Sequence, residues 1–281
     1  MDPNQILSRA GHSAVVLLEV LALVWIGKKA TERLTRTDFD RELMTVDNPA
    51  AGLTLAGFYL ALFVALSGLL AGEAHSLKRD VLCTAGYGAA TIAGLILSAS
   101  LWRPILHIDF RKDVLEAKNF GAALMAAATL VGSGLVFRGA LHGESATWWA
   151  VGVFFLIGEG ALFLSILLYE WITPYSVYQE VTQKTNVAAA IGMAGAVIAS
   201  GLIIGNAMEG DFDGWRASLR ESLIHLIPLA ALPLVRLLIV RGLLLSFRNV
   251  NREIVEDRNP AVGLVEAAAY VGMAVFVLQL L

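Results

Sequence analysis

Four ionisable side chains stand inside long apolar runs: Glu19, Glu159, Arg236 and Glu266. Charges at such depth are expensive and are functional candidates by default. Glu19 lies in Leu17-Leu18-Glu19-Val20-Leu21, and Glu159 in Ile157-Gly158-Glu159-Gly160. A carboxylate in an apolar span can bind a small cation or relay a proton, so Glu19 and Glu159 are the candidate intramembrane ion or proton site. Arg236 and Glu266 carry opposite charges at comparable depth. Glu266 lies seven residues beyond Asn259, about 10 Å below the helix start at roughly 1.5 Å per residue. The pair is expected to form an intramembrane ion pair, with mutual neutralisation as the structural alternative to transport.

A second set of residues recurs at fixed spacing. Glu42, Asp113, Glu180 and Glu253 each stand six residues before Asn48, Asn119, Asn186 and Asn259. Leu43, Val114, Val181 and Ile254 follow the acids, and Ala56, Ala127, Ala194 and Ala267 lie eight beyond the asparagines. A recurrence of this kind marks a repeat architecture. Each asparagine suits a helix N-cap, where its side chain accepts a hydrogen bond from an otherwise unpaired N–H. Pro49 and Pro260 then occupy the favoured first position. Four such N-termini on one face form a positive rim, an N-cap ring open to anions. The acids have two readings. They are solvated charges on amphipathic connectors, or a cytoplasmic acidic ring attractive to cations around a pseudo-fourfold axis.

The elements that must position these residues are membrane helices. The 281-residue chain is 57% hydrophobic and only 16% charged, against roughly 25% charged in soluble domains. About 20 apolar residues cross a bilayer, and eight candidate spans lie near 12–28, 49–72, 81–102, 120–141, 147–170, 187–207, 221–244 and 260–281. The fold class is therefore an all-α polytopic membrane protein of four parallel two-helix repeats. Gly- and Ala-rich even helices are expected at the centre, because small residues permit close approach. Residues 1–143 and 144–281 form two four-helix units. Pro228 and Pro233 should kink the seventh helix.

Two helices per repeat put all four asparagine connectors on one face. That face carries fourteen Lys and Arg and the opposite face six. By the positive-inside bias the connectors are cytoplasmic and both termini lie outside, which in a bacterium is the periplasm.

A net charge of −3 argues against nucleic-acid binding. Cys83, the sole cysteine, cannot form an intrachain disulfide. The five histidines lack metal-ligand spacing, and no phosphate loop, nucleophile elbow or dinucleotide fingerprint is present. No enzyme, metal or cofactor is expected.

The segments Asp47-Asn48-Pro49-Ala50-Ala51-Gly52, Lys118-Asn119-Phe120-Gly121-Ala122, Asn186-Val187-Ala188-Ala189 and Arg258-Asn259-Pro260-Ala261-Val262-Gly263 resemble bacterial inner-membrane proteins of domain-of-unknown-function family 350. Phe120, Val187 and Val262 depart from the usual pattern. The resemblance implies four-helix units with two such repeats, here fused in tandem, and an association with envelope stress but no mechanism.

Two functions are weighed. The first is a small-ion channel or transporter using the intramembrane glutamates. The second is a scaffold whose basic connectors recruit a soluble stress-response partner or anionic lipid. The lipid bilayer is the expected surrounding, and a homo-oligomer is compatible with either.

Overall fold

The computed structural model describes residues 3–70, 76–143, 148–244 and 249–280. All regular structure among them is helical. Eight segments are long and apolar enough to cross a membrane. They are α1 (Pro3–Thr35), α2 (Pro49–Leu69), α3 (Leu77–Ile105), α4 (Phe120–Leu141), α5 (Trp148–Ile172), α6 (Val187–Ala207), α7 (Trp215–Leu238) and α8 (Pro260–Val277). The segment α7 is broken. An α-helix over Trp215–His225 passes into a 3-10 turn at Ile227–Ala231 and a π turn at Val235–Leu244. Pro228 and Pro233 fall at this break, where each removes a helix N–H.

A short connector helix precedes each even span: Phe39–Met44, Phe110–Glu116, Val177–Thr182 and Val250–Val255. Asp38, Asp109, Ser176 and Asn249 cap their starts, accepting from the N–H of Arg41, Lys112, Gln179 and Arg252. The four caps all lie ten residues before the repeat asparagine. At the other end, the asparagine N–H donates to the carbonyl of the acid six residues earlier, at 2.8 to 2.9 Å in all four copies. The bond spans six positions, one more than the closing bond of a Schellman turn, and like it follows a left-handed residue just past the helix. Asp47, Lys118, Thr185 and Arg258 take that conformation, with φ of 51°, 50°, 53° and 48°. The acid-to-asparagine spacing is thus the length of one helix stop followed at once by one helix start.

The even helices form a row in the order α2, α4, α6, α8, each packed extensively on the next. They run parallel and in register. A Cβ added at Gly57 would lie 2.6 Å from the Ala127 Cβ, and one at Gly68 would overlap the Arg138 carbonyl. Gly139 likewise abuts Gly205, and Gly195 abuts Ala267. These approaches need residues without side chains, the usual device of membrane helix pairs. Odd helices cover one side of the row: α3 leans on α2 and α4, α5 on α4 and α6, and α7 on α6 and α8. The opposite side of α4 and α6 carries the part-exposed Leu124, Val131 and Leu135, and Ile191, Ile198 and Leu202.

Two expectations are corrected. The even helices are not all central. Buried residues make up 72% of α4 and 78% of α6, but only 28% of α8, which sits at the edge like the odd helices. Nor do the repeats close around a fourfold axis. The helices α2 and α8 stand at opposite ends of the row without a packing interface between them, so neither the asparagines nor the acids form a ring. Packing fixes the angle from each helix to the next, and these small-residue contacts produce a row.

Candidate functional site

The repeat asparagines make three kinds of contact at the rim, and Asn48 and Asn186 make all three. The Oδ1 caps the asparagine's own even helix, as for Asn48 to the Ala50 and Ala51 N–H at 3.1 and 3.2 Å. Asn119, Asn186 and Asn259 do the same at Ala122, Ala188 and Ala261. The Nδ2 donates to the acid of the same repeat, Glu42, Glu180 or Glu253, at 3.0 to 3.1 Å. Asp113 is one methylene shorter and accepts from the Asp109 N–H at 2.8 Å instead. The Nδ2 also reaches forward to the next connector: Asn48 to the Val114 carbonyl at 3.1 Å, Asn119 to Val181 at 2.8 Å, and Asn186 to Ile254 at 2.7 Å. The acceptor is always the residue after the next acid. The asparagines are therefore clasps between neighbouring connectors, and three of the four acids orient them. Asn48, Asn119 and Asn186 are buried, whereas Asn259, at the end of the row, is part-exposed.

Deeper in the helices stand two polar clusters. In the first, the Glu159 Oε2 accepts from the Trp102 indole N–H at 3.1 Å. The same N–H lies 3.4 Å from the Ser133 hydroxyl, and Ser98 stands beside the carboxylate. The Glu159 Oε1 is buried with no hydrogen-bond partner among the described residues. Gly158, next in α5, packs on Val136 of α4 and brings the two helices together here. A cleft of about 230 Å³ opens beside Trp102, lined also by Thr31, Phe39, Phe58, Arg103 and Thr129. Its lining takes in the last turns of α1 and α3 and the Phe39 and Phe110 connectors, so it lies in the connector-side half.

In the second cluster, Arg236 donates from Nη1 to the Glu266 Oε1, and both side chains are buried. The Tyr169 hydroxyl donates to the same oxygen at 3.0 Å and accepts from Arg236 at 3.1 Å. The second guanidinium nitrogen donates to the Tyr175 hydroxyl and the Asn251 Oδ1, both at 3.2 Å. Burial pushes the Tyr175 hydroxyl up to about 12, so it stays neutral at physiological pH. Gly192 leaves the room, since a Cβ there would lie 2.9 Å from the Tyr169 hydroxyl and 3.1 Å from the Glu266 Oε2. Paired and hydrogen-bonded, these charges neutralise each other.

Glu19 is elsewhere. It lies part-exposed on α1, between the exposed Leu18 and the buried Val20, and α1 has no packing interface with α5. The structure does not bring Glu19 and Glu159 together. Their matched places in the sequence reflect the repeat, but α1 has no even helix on its outer side.

Sequence reasoning missed the partners Trp102 and Tyr169. A signal was present: each stands seventeen residues before a repeat asparagine, and each donates to the acid of the following repeat. Near the rim, Glu32, Asp38 and Asp40 gather one carboxylate oxygen each within 4.8 Å of one another. Lys28 bonds Asp40 and pairs with Glu32. Its ammonium holds the Asp40 carboxyl below the usual carboxylate range, and the cluster already has its cation.

A family model described as Domain of Unknown Function (DUF350) matches the chain twice, over residues 5–141 and 144–281. No curated protein and no solved structure matches it.

Proposed function

The chain belongs to the DUF350 family, with two units in one polypeptide, and from that premise we propose that it passes small ions or protons across a bacterial inner membrane. The carrying observation is Glu159, a mid-span carboxylate with one oxygen accepting from Trp102, the other buried without a close hydrogen-bond partner among the described residues, and Ser98 and Ser133 alongside. No salt bridge to it is found among the described residues. A buried carboxylate without a cationic partner is costly unless it holds a proton or a counter-cation. Glu266 differs, because Arg236 already supplies that charge. The cleft on the connector side reaches Trp102, the hydrogen-bond partner of Glu159, but is not itself lined by Glu159. The excess of Lys and Arg on that side makes it cytoplasmic and the termini periplasmic. Glu19 is a secondary ion site on this reading, and no catalytic step is involved.

Flux into liposomes holding the purified protein tests this. Glu159→Gln keeps the shape and the acceptor for Trp102 but removes the charge, and is expected to cut ion or proton flux about tenfold or more. Equal flux in wild type and Glu159→Gln, or none in wild type under any gradient, overturns the reading.

The alternative is a non-transporting scaffold for a soluble envelope-stress partner or anionic lipid. Its support is the exposed basic rim that includes Arg33, Arg36, Arg111 and Lys112, each basic residue worth about 1 kcal/mol near an anionic surface. Neutralising these four would abolish capture of a partner or of anionic vesicles and leave any flux untouched.

A further inference from the structure

The row of even helices has two open ends, and the ends match each other. At the internal junctions, the positions facing the next helix repeat when counted from the asparagine. Gly57 and Gly195 are nine beyond Asn48 and Asn186; Ala61 and Gly132 are thirteen beyond Asn48 and Asn119. All four are buried or seated on the following helix. On α8 the same two positions are Ala268 and Gly272, and both are exposed. A Cβ at Gly272 would meet nothing within 4 Å. Leu264 and Val275 extend this face and are 59% and 50% exposed.

The positions facing the previous helix repeat as well. Ala127 and Ala267, eight beyond their asparagines, receive Gly57 and Gly195. On α2 the matching residue is Ala56, which is exposed, as are Phe63 and Ser67 farther along the same face.

The rim repeats this mismatch in polar form. Val114, Val181 and Ile254 carbonyls each receive the asparagine of the preceding repeat. The equivalent Leu43 carbonyl has no preceding asparagine within the chain. Asn259 donates to Glu253 and clasps no connector carbonyl among the described residues. The odd helices agree: α3, α5 and α7 each straddle two even helices, whereas α1 has only α2 beside it in the row. Its Leu18 and Trp25 are 66% and 62% exposed.

We propose that copies of this chain assemble head to tail in the membrane plane, α8 of one copy docking between α1 and α2 of the next. The new junction continues the three internal ones: Ala268 meets Ala56, and Asn259 clasps the Leu43 carbonyl. Such a heterologous interface leaves an unsatisfied end at every addition until a ring closes. The assembly does not depend on the transport reading.

Disulfide trapping in native membranes tests it, in a Cys83→Ala background. Ala56→Cys with Ala268→Cys in one chain should give a ladder of covalent multimers on mild oxidation. A mixture of the two single variants should stop at the dimer, and each single variant alone should give none. Leu164→Cys on the lipid-facing side of α5, combined with Ala268→Cys, measures random collision. A ladder no stronger than that control, or equal trapping by a single variant alone, overturns the proposal. Ala268→Trp placed in both an affinity-tagged and an untagged chain gives a second readout, because a single unsubstituted copy would still dock its α8 on the tagged chain's α1–α2 end. It should abolish co-purification of an untagged copy in bilayer discs while helicity by circular dichroism is kept. Undiminished co-purification overturns the proposal.

Discussion

At the residue scale, the asparagine is one joint shared by two helices and two repeats. It closes the connector helix through its backbone N–H, starts the next helix through Oδ1, and ties the following connector through Nδ2. The joint requires a left-handed residue immediately before it, which is unfavourable for any L side chain by about 1–2 kcal/mol. Thr185 is the worst placed of the four, because a β-branched residue at φ 53° is a true outlier. Replacing Thr185 by Gly should therefore stabilise the purified protein by about 1 kcal/mol, read as a rise of a few degrees in the thermal midpoint. A lowered midpoint would mean that the strain is absent or that the Thr185 hydroxyl matters more than the backbone. The acid-to-asparagine spacing was legible in the sequence, but its meaning was not. A spacing of six does not say whether the acid side chain or the acid carbonyl is the partner, and here the carbonyl is used in all four copies. The cap ten residues before each asparagine went unread because Asp, Asp, Ser and Asn share a geometry and not an identity.

At the scale of elements, backbone contact between even helices governs the architecture. Gly139 in α4 sits against the Gly205 carbonyl of α6, and a Cβ added at Gly205 would in turn lie 2.5 Å from the Leu135 carbonyl oxygen. Gly139→Ala should push α4 from α6 and destabilise the protein by about 2 kcal/mol or more. Gly86 in α3 has nothing within 4 Å, so Gly86→Ala should be neutral or gain up to about 1 kcal/mol from helix propensity. Thermal midpoints of the two variants in one detergent check this contrast, and equal losses would contradict the packing described. The spans and their Gly/Ala content were readable from sequence, since length and apolarity suffice for that. The edge position of α8 was not. Its sequence has the same small residues as α4 and α6, but among the described residues no further helix packs on its outer face, and Ala268 and Gly272 are exposed. The Arg236–Glu266 contact could be anticipated from depth alone. Trp102 was missed despite its repeat position, because an indole in an apolar helix ordinarily reads as bulk facing lipid.

At the scale of the whole molecule, two family units make one continuous row rather than two separate bundles, because α4 packs on α6 across their boundary. Repeats inserted the same way up share a face, but orientation alone does not decide between a closed ring and an open row. The row removes the central axis that a pore among the even helices would need, and it moves the transport reading to the flank, where Glu159 lies between α3, α4 and α5. It also creates the ends on which the proposed assembly rests.

The open row is the claim on which the account turns, and spin-label distances measure it directly. Arg41, Lys112, Gln179 and Arg252 hold the same place in the four connectors, seven residues before the asparagine, and all are exposed. Cysteine pairs at these positions, in a Cys83→Ala chain diluted with unlabelled protein, report distances within one molecule by pulsed dipolar spectroscopy. At about 8–10 Å per helix step, the separation from Arg41 should grow from Lys112 to Gln179 to Arg252, the last spanning about 24–30 Å before label length. A first-to-fourth distance as short as the first-to-second would mean that the repeats close on themselves, and the row would be wrong.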